Sequence, residues 1–303
     1  YTEDLANLID DHHLDYHMYA DDTQLIEYTT ASNIPNAIMK LQNCVESIHE
    51  WCRSRRLQLN PAKTELIWFG SKASLKKTVH LDLNLYIGAD VIKPVGVVRD
   101  LGVFLDAELN MDQHVKTVVR SCFFHLRRLK SVRRILGREV TLGLVSAFVT
   151  TRLDYCNSVL AALPQASIDP LQRVQNAAAR LVAGIGTRDH ITPVLRSLHW
   201  LPIRLRIQYK LCVLMHQVHI GRSPAYLADM MTATADLPGR ERLRSANSFR
   251  YETPKLKLKF GERAFSYAGP KAWNSLPSNL QELMNTDTFK KQLKTHLFKL
   301  AYE

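Results

Sequence analysis

The feature that most constrains the fold is a change of pattern near residue 110. Before it, short runs of apolar residues alternate with polar ones and are bounded by Gly, Pro, Asn and Asp. After it, apolar residues recur at spacings of three and four over long stretches. Alternation is typical of half-buried strands, and the longer period is typical of amphipathic helices. The sequence therefore predicts an α+β fold, with a mixed first third and a mostly helical remainder.

An aspartate pair lies near the start of the mixed part. Residues 15–28, DYHMYADDTQLIEY, alternate between apolar and polar on both sides of Asp21 and Asp22. This pattern predicts a β-hairpin with the pair at its turn. The next segment, residues 33–56, has the apolar period of a helix.

The remaining elements follow from the same two periods. Further strands are predicted at residues 66–70, 81–87, 91–98 and 101–106. Helices are predicted at residues 115–138, 139–162, 168–184, 191–197, 203–220 and 286–301. The polar and basic residues 232–262 are predicted to be loop with some extended pieces.

Charge is unevenly distributed along the chain. Residues 1–60 carry four basic and ten acidic residues, whereas residues 61–303 carry 36 basic and 19 acidic ones. The whole chain has a formal net charge of +11. An acidic start on a basic body favours a polyanion or a metal as partner. A solvated basic surface explains the same charge, and charge alone does not decide between the two.

Cysteine spacing and hydropathy argue against a zinc-binding, a disulfide-stabilised and a membrane-spanning protein. The five cysteines are widely spaced without a C-x-x-C pair, so we expect buried thiols in a reducing compartment rather than a zinc site or a disulfide framework. No run of about 18 apolar residues is present, so no membrane span is expected. No signal peptide is visible. The first residue is Tyr rather than Met, which favours a piece of a longer protein.

Adjacent aspartates repel each other, so holding them at a tight turn has a cost. A divalent metal would offset it, because Mg²⁺ is often held by one or two carboxylates together with substrate phosphates. Two such ions about 4 Å apart stabilise both the attacking and the leaving oxygens of phosphoryl transfer. The alternative is ordinary turn chemistry, which a bare Asp-Asp would favour. The Tyr-Ala-Asp-Asp sequence between two strand-like runs, followed by a helix and a basic body, favours the metal.

Several motifs follow one another in an order that resembles a known family. YADDTQL at 19–25 resembles the palm active-site motif of reverse transcriptases, most of all those of jockey-like non-LTR retrotransposons (LINE elements). LQLNPAKTELIWFG at 57–70 resembles the next palm motif, and VRDLGVFLDAELNMDQHV at 98–115 resembles the strand pair that grips the primer. Four later segments are similar to the C-terminal region of these element proteins: RLDYCNSVL at 152–160, LQRVQNAAARLV at 171–182, LHWLPIRLRIQYKL at 198–211 and AGPKAWNSLPSNL at 268–280.

The resemblance implies both an architecture and an activity. Residues 1–110 would be a partial palm, 111–225 a helical, basic, thumb-like domain, and 226–303 a C-terminal region that is loop-rich and then helical. The activity would be RNA-directed DNA polymerisation by two-metal phosphoryl transfer, with Mg²⁺ or Mn²⁺ as cofactor. The partners would be an RNA template, a DNA primer and, in the full-length enzyme, deoxynucleoside triphosphates. No membrane partner is expected, and oligomeric state and cellular location stay open.

The resemblance also implies roles for individual residues near the hairpin. Asp21 would ligate the catalytic metals and Asp22 would support it. Tyr19 would lie near the nucleotide and the primer end, and Ala20 would leave room for them. Lys63 matches a family lysine proposed to protonate the leaving pyrophosphate, and a solvated loop lysine is the alternative.

Two further sets of residues would contact the primer and the template. Leu101, Gly102 and Val103 would approach the primer backbone, where Gly102 leaves space, although a strand bend would also favour glycine. Basic side chains of the helix at 115–138 would contact duplex phosphates independently of sequence, and about half of them are expected to reach the duplex. They are Lys116, Arg120, Arg127, Arg128, Lys130, Arg133, Arg134 and Arg138.

Other residues are given structural roles. Three apolar residues of the same helix are expected to pack into the thumb core rather than stack on bases: Phe123, Phe124 and Leu126. Three histidines near the aspartate pair are interpreted as turn or strand residues rather than metal ligands: His12, His13 and His17.

The sequence departs from the family's pattern before the hairpin. The family's metal site needs a third aspartate from an earlier palm strand, and only 18 residues precede Tyr19. Four nearby acids lie too close in sequence to supply it and are interpreted as loop residues: Asp4, Asp10, Asp11 and Asp15. We therefore expect a C-terminal fragment that begins just before the YADD motif, has an incomplete metal site and does not polymerise alone. The alternatives are a non-catalytic module that binds RNA or RNA–DNA duplex, and a helical interaction scaffold without a nucleic-acid role.

Overall fold

The computed structural model describes residues 3–236 and 249–303. The chain divides into two compact units, Tyr1–Asn110 (unit 1) and Met111–Glu303 (unit 2). Unit 1 combines short antiparallel strand pairs with one long helix, whereas the described part of unit 2 is dominated by helices. The α+β class predicted from the sequence is therefore confirmed.

Unit 1 contains three helices and six short strands among its described residues. They are α1 (Glu3–Asp11), β1 (Asp15–Tyr19), β2 (Asp22–Ile26), α2 (Ile34–Ser54), α3 (Lys72–Lys76), β3 (Leu85–Ile87), β4 (Asp90–Ile92), β5 (Val97–Asp100) and β6 (Val103–Asp106). A 3-10 turn covers Pro61–Lys63.

The six strands form three separate antiparallel hairpins, β1–β2, β3–β4 and β5–β6. In β1–β2, Tyr19 pairs with Asp22, which leaves a two-residue loop. The same short loop joins β5 to β6, where Asp100 pairs with Val103. The hairpin predicted at residues 15–28 is confirmed.

The core of unit 1 forms on the apolar stripe of α2. Pro35 lies in the first turn of α2, where backbone amides have no carbonyl partner within the helix. Proline, which has no amide hydrogen, therefore loses no hydrogen bond at this position. Along the stripe, Cys44 and Ile48 are buried together with Ile9 of α1 and Ile87 of β3. Each buried aliphatic side chain of this kind stabilises the fold by about 1.5–3 kcal/mol. The helix predicted at residues 33–56 is confirmed.

Four sequence predictions for unit 1 are wrong, and the first is the strand at 91–98, because β4 ends at Ile92 and the next strand, β5 of a separate hairpin, begins at Val97. Residues 66–70 are not a strand, because Leu66 makes only an isolated bridge with Pro94. The alternating stretch 81–87 forms a strand only from Leu85 onwards. The acids interpreted as loop residues include Asp4, Asp10 and Asp11, which lie in α1, and Asp15, which starts β1. In α1 the apolar residues recur at helical spacing, but the helix is too short for its period to stand out in the sequence.

The described part of unit 2 contains nine helices. They are α4 (Asp112–Val145), α5 (Thr151–Asp154), α6 (Gln165–Ala183), α7 (Thr192–Ser197), α8 (Ile203–His219), α9 (Ala225–Ala228), α10 (Phe265–Asn274), α11 (Ser278–Gln281) and α12 (Thr286–Tyr302). A π-helix covers Ser146–Thr150, and 3-10 turns cover Asn157–Leu160, Thr234–Asp236 and Gly261–Arg263.

The long helix α4 is broken once. Gly137 has φ 71° and ψ −179°, a conformation outside the helical region that is almost confined to glycine. Beyond it the helical chain continues through the π-helix and α5 to Asp154, where Arg206 of α8 donates from Nε to the carboxylate at 2.7 Å. The helix predicted at 139–162 therefore ends early, since Cys156 adopts a left-handed φ of 49°. The helix predicted at 115–138 is confirmed and begins at Asp112.

A second core lies between α8, α10 and α12. Trp273 of α10 and Phe289 of α12 are fully buried there with Met215 of α8. The predictions of helices at 203–220 and 286–301 are confirmed, whereas α10 and α11 were not anticipated. Of the predicted loop at 232–262, residues 237–248 lie outside the described residues.

A helix that could span a membrane must be both long and apolar. Among residues 3–236 and 249–303, no helix combines the length and the apolar character needed to cross a membrane. The predicted boundary between residues 225 and 226 stays a prediction, as do the identities of the palm and the thumb.

Candidate nucleic-acid interface

The aspartate pair lies at the tip of the β1–β2 hairpin. Ala20 and Asp21 form the loop, and Asp22 is the first residue of β2. Ala20 has a left-handed φ of 54°, a conformation that costs a residue with a side chain about 1–2 kcal/mol. Both aspartate side chains are exposed, as is 62% of Tyr19. The strands therefore present both aspartates at an accessible tip.

A hydrogen bond connects this hairpin with the β5–β6 hairpin. Gln24 Nε2 in β2 donates to Asp100 Oδ1 at the end of β5, at 2.6 Å. Gln24 is three residues from Asp21, and Asp100 immediately precedes Leu101. The predicted metal-binding tip and the predicted primer-contacting turn thus belong to hairpins that are joined close to their tips.

The predicted primer-contacting residues do not share one environment. Leu101 and Gly102 are the two loop residues between β5 and β6, with φ of 43° and 86°. Such loops favour glycine because both central residues need positive φ. Val103 is only 6% exposed and contributes to the interior. The turn can approach a ligand through its backbone, whereas the Val103 side chain cannot. The strand bend considered for Gly102 is in fact a hairpin turn.

The carboxylates fall short of a complete metal centre. Within the described residues no group of three or more His, Cys, Asp or Glu side chains could hold a metal ion. Asp21 and Asp22 supply two of the oxygen ligands that Mg²⁺ prefers, and a two-metal site needs more. The residues in the described part of this chain therefore do not fit a full two-metal centre by themselves.

Lys63 occupies the end of the 3-10 turn Pro61–Lys63. Asn60 caps this turn by accepting from the Ala62 amide at 3.1 Å, which fixes the local backbone. The Lys63 side chain is exposed, and no ion pair joins it to either aspartate in the described structure. Its proposed role as an acid stays a prediction.

The basic residues of α4 separate into two groups on the helix. At about 100° per residue, five of them fall within an arc of about 80°, opposite the face that carries Val115, Cys122 and Leu129. All five side chains are exposed, and they extend over roughly 27 Å of helix axis at 1.5 Å per residue. We call these five residues the basic stripe: Lys116, Arg120, Arg127, Lys130 and Arg134.

Arg133, Arg128 and Arg138 lie outside the basic stripe. Arg133 projects from the buried face and donates from Nε to Leu181 O at 2.9 Å and from Nη2 to Val182 O at 3.3 Å. These are carbonyls of the last turn of α6, where a cation is favourable. Arg128 lies with its guanidinium carbon 5.6 Å from the Phe124 ring centre. Arg138 follows the break at Gly137.

The aromatic residues of α4 are only partly in the core. Leu126 is buried and Phe123 is half-buried, but 48% of Phe124 is exposed. The expectation that all three pack into the core is therefore wrong for Phe124. Sequence reasoning missed this because Phe124 is apolar, although Arg120, Arg127 and Arg128 lie at helical spacings around it. A ring surrounded by charged residues at i−4, i+3 and i+4 occupies the solvent face of a helix.

Four of the five cysteines are buried thiols, which makes them unsuitable as nucleophiles. Burial raises the pKa of the Cys44 and Cys122 thiols to about 11 and that of Cys212 to about 12. Cys52 is also buried, whereas Cys156 is half-buried. The interpretation of the cysteines as buried thiols is confirmed for four of the five. Neutral, buried thiols do not act as nucleophiles, because the thiolate is the reactive form.

The histidines near the aspartate pair have structural positions. His12 and His13 form the turn after α1, and His12 Nε2 lies 3.0 Å from Ser47 Oγ. His17 is a residue of β1. Their interpretation as turn and strand residues is confirmed.

Comparison with known proteins adds one relationship. No protein-family model matches the chain, and no solved structure matches it. A curated protein of Drosophila melanogaster, described as a probable RNA-directed DNA polymerase from transposon BS, is 29% identical over 126 residues. The match covers 42% of this chain and 13% of that polymerase. The chain is thus similar over part of its length to a transposon RNA-directed DNA polymerase, which supports a relationship to the reverse transcriptases in general.

Proposed function

We propose that this chain is part of an RNA-directed DNA polymerase encoded by a jockey-like non-LTR retrotransposon. The observation that carries the proposal is the exposed Asp21–Asp22 tip, on a hairpin joined through Gln24 and Asp100 to a second hairpin turn. The similarity to a transposon polymerase favours the same activity. Unit 1 would then contribute to the palm and α4 to the thumb.

The catalytic contribution of this chain is limited by the number of side chains that could coordinate the metal ions. Bound Mg²⁺ or Mn²⁺ would supply stabilisation of the attacking and leaving oxygens. Asp21 would be a ligand and Asp22 would support it, while Tyr19 and Ala20 would border the nucleotide and the primer end. Because the described residues provide no third carboxylate beside the pair, we propose that the chain does not polymerise on its own.

A second function is favoured by the basic stripe. Five exposed cations on one face of α4, without an acid between residues 113 and 138, fit the phosphates of an RNA or RNA–DNA duplex. A chain with this surface would bind template–primer duplex whether or not it polymerises. Neutralising about five phosphates predicts that the logarithm of the binding constant falls with the logarithm of the salt concentration with a slope of roughly −4.5.

Primer extension tests the two functions together. The full chain would be mixed with an RNA template, a DNA primer, deoxynucleoside triphosphates and Mg²⁺, alongside an Asp21→Ala, Asp22→Ala double variant. Duplex binding of both proteins would be recorded over a salt series. We expect no extension by either protein and equal, salt-sensitive binding by both, because the stripe does not involve the aspartates.

Two results would contradict the proposal in different ways. Extension that the double variant loses would show a complete metal site and refute the proposed lack of activity. Binding that is weak and independent of salt would refute the duplex-binding function and favour an interaction scaffold. Matched variants within the stripe, Lys116→Ala and Arg134→Ala, should each weaken binding and reduce the magnitude of the slope by about one.

A further inference from the structure

Three rings form a connected cluster on the surface of unit 2. The Phe124 and His125 rings meet edge to face, with centroids 5.4 Å apart, and His125 stacks on Phe148 at 5.2 Å with an interplanar angle of 11°. Phe124 is 48% exposed and Phe148 is 40% exposed. We call Phe124, His125 and Phe148 the aromatic platform. A contiguous set of exposed ring faces, unlike a single exposed apolar side chain, is typical of a ligand-binding surface.

The backbone beneath Phe148 is unusual and well supported. Phe148 lies in the π-helix Ser146–Thr150, a structure that occurs frequently at functional sites. Widening of the helix changes the normal pairing of its carbonyls, and two side chains donate to them. Thr151 Oγ1 donates to Ala147 O at 2.6 Å, and Arg152 Nε donates to Phe148 O at 3.1 Å. The Phe148 ring is therefore presented from a fixed backbone.

Positive charge surrounds the platform. The Arg128 guanidinium lies over the Phe124 ring, and Arg152 is exposed beside Phe148. On α4, Arg120 and Arg127 are one turn before and after Phe124. Burial lowers the pKa of His125, and the charges of Arg152 and Arg128 lower it further. A neutral imidazole at neutral pH stacks without adding to the repulsion among the arginines.

This combination selects the class of ligand. A duplex hides the faces of its bases, so it can use the arginines but not the rings. A single strand presents both unpaired base faces and phosphates, and proteins bind such strands by aromatic stacking within a basic groove. We propose that the aromatic platform binds unpaired bases of single-stranded RNA or DNA, with Arg128 and Arg152 contacting the flanking phosphates. The inference rests on the proposed function only in taking nucleic acid as the partner, and it adds a site beside the basic stripe.

The test compares strands with and without bases. Affinity of the full chain would be measured by fluorescence anisotropy for a single-stranded oligonucleotide, for an abasic strand with the same number of phosphates and for a duplex. The variants are Phe124→Leu, which keeps an apolar side chain but removes the ring, and Phe124→Tyr, which keeps a ring. Ile135→Ala is the control, since Ile135 is 86% exposed on the same helix and belongs to no ring cluster in the described structure.

The expected result is selective for the ring. Phe124→Leu should weaken single-strand binding by about tenfold, because stacking on one aromatic ring contributes at about this level. Phe124→Tyr and Ile135→Ala should retain wild-type affinity. The abasic strand should bind the wild type and Phe124→Leu equally. Melting curves would show that all variants fold, as expected for exposed positions.

Two outcomes would overturn the inference. Equal single-strand affinity of Phe124→Leu and wild type would exclude stacking at the platform. An equal loss on abasic and base-bearing strands would assign the effect to phosphate contacts alone. Failure of the proposed duplex-binding function is recognised separately, because duplex affinity would then not change in Arg134→Ala.

Discussion

Arg133 and Arg134 are neighbours in the sequence with opposite surroundings. Arg133 lies on the inner face of α4 and donates to two carbonyls at the end of α6. Arg134 is exposed on the basic stripe. Equal charge at adjacent positions therefore anchors one side chain to α6 and leaves the other exposed to solvent. The basic residues cannot be treated as one functional group.

We predict that replacing each of the two arginines by alanine has a different effect on the stability of the chain. Arg133→Ala should destabilise the chain by about 1.5–3 kcal/mol, because it removes partly buried hydrogen bonds from a charged donor to two carbonyls. Arg134→Ala should change stability by less than about 0.5 kcal/mol, as surface substitutions usually do. Urea unfolding measures both, and duplex affinity should show the reverse order. Equal destabilisation by the two variants would show that the α6 contact contributes little.

The position of Arg133 could have been derived from the sequence, whereas that of Phe148 could not. Arg133 continues the spacing of Cys122, Leu126 and Leu129, which places it on the buried face. Phe148 is brought to His125 by the route of the chain after Gly137 and by a π-helix. Neither the break nor the π-helix has a local sequence period, so the aromatic platform required the folded structure.

At the scale of elements, α4 shows where periodicity succeeds and where it fails. Long helices with an uninterrupted apolar stripe, such as α2 and α8, were predicted nearly to their ends. Some short elements were missed or only partly predicted, since α1 and the strand β3 contain too few residues to display a period. The break at Gly137 depends on one backbone conformation, which the apolar pattern on either side does not reveal.

The prediction for this element uses two glycines of α4. Gly137→Ala should destabilise unit 2 by about 1–3 kcal/mol, because alanine tolerates its φ and ψ poorly. Gly143→Ala should instead stabilise it by up to about 1 kcal/mol, since Gly143 lies within the helix and an added Cβ meets nothing within 4 Å. Circular dichroism during thermal unfolding compares the two. Stabilisation by both would show that α4 is continuous in solution.

At the scale of the whole molecule, each unit has a core built from its own residues. In unit 2, His216 stacks on Phe289 at 4.1 Å, and its Nε2 lies 2.9 Å from Leu283 O. Burial lowers the pKa of His216 from its usual value of 6.5, and the Lys290 and Arg222 charges add to this, while the hydrogen bond to Leu283 opposes it. Burial, together with the charge of His216, also lowers the pKa of His219.

These shifts predict that acid destabilises unit 2. Below pH 6.5 these two histidines are protonated in the unfolded chain but stay neutral in the folded one, because their folded pKa values are lower. The free energy of unfolding therefore falls as the pH decreases towards the folded pKa values. The loss amounts to about 1.4 kcal/mol for each unit by which a pKa is lowered. Urea unfolding at pH 7.5 and 5.5 measures it.

A double variant, His216→Phe with His219→Phe, should make stability less dependent on pH in this range. His190→Phe is the matched control, because His190 is exposed. A wild-type protein that is equally stable at both pH values would contradict the prediction, as would a double variant with undiminished pH dependence.

The anchoring of Arg133 to α6 also restricts how this helix can change in length. Each residue turns an α-helix by about 100°. One residue inserted between Leu129 and Gly137 would therefore rotate the part of α4 on one side of the insertion by more than a quarter of a revolution relative to the other part. Either the guanidinium would leave the α6 carbonyls or the cations on one side of the insertion would point away from the others. Substitutions along α4 therefore alter one side chain at a time, whereas a single-codon insertion or deletion rotates every basic-stripe residue on one side of it relative to those on the other.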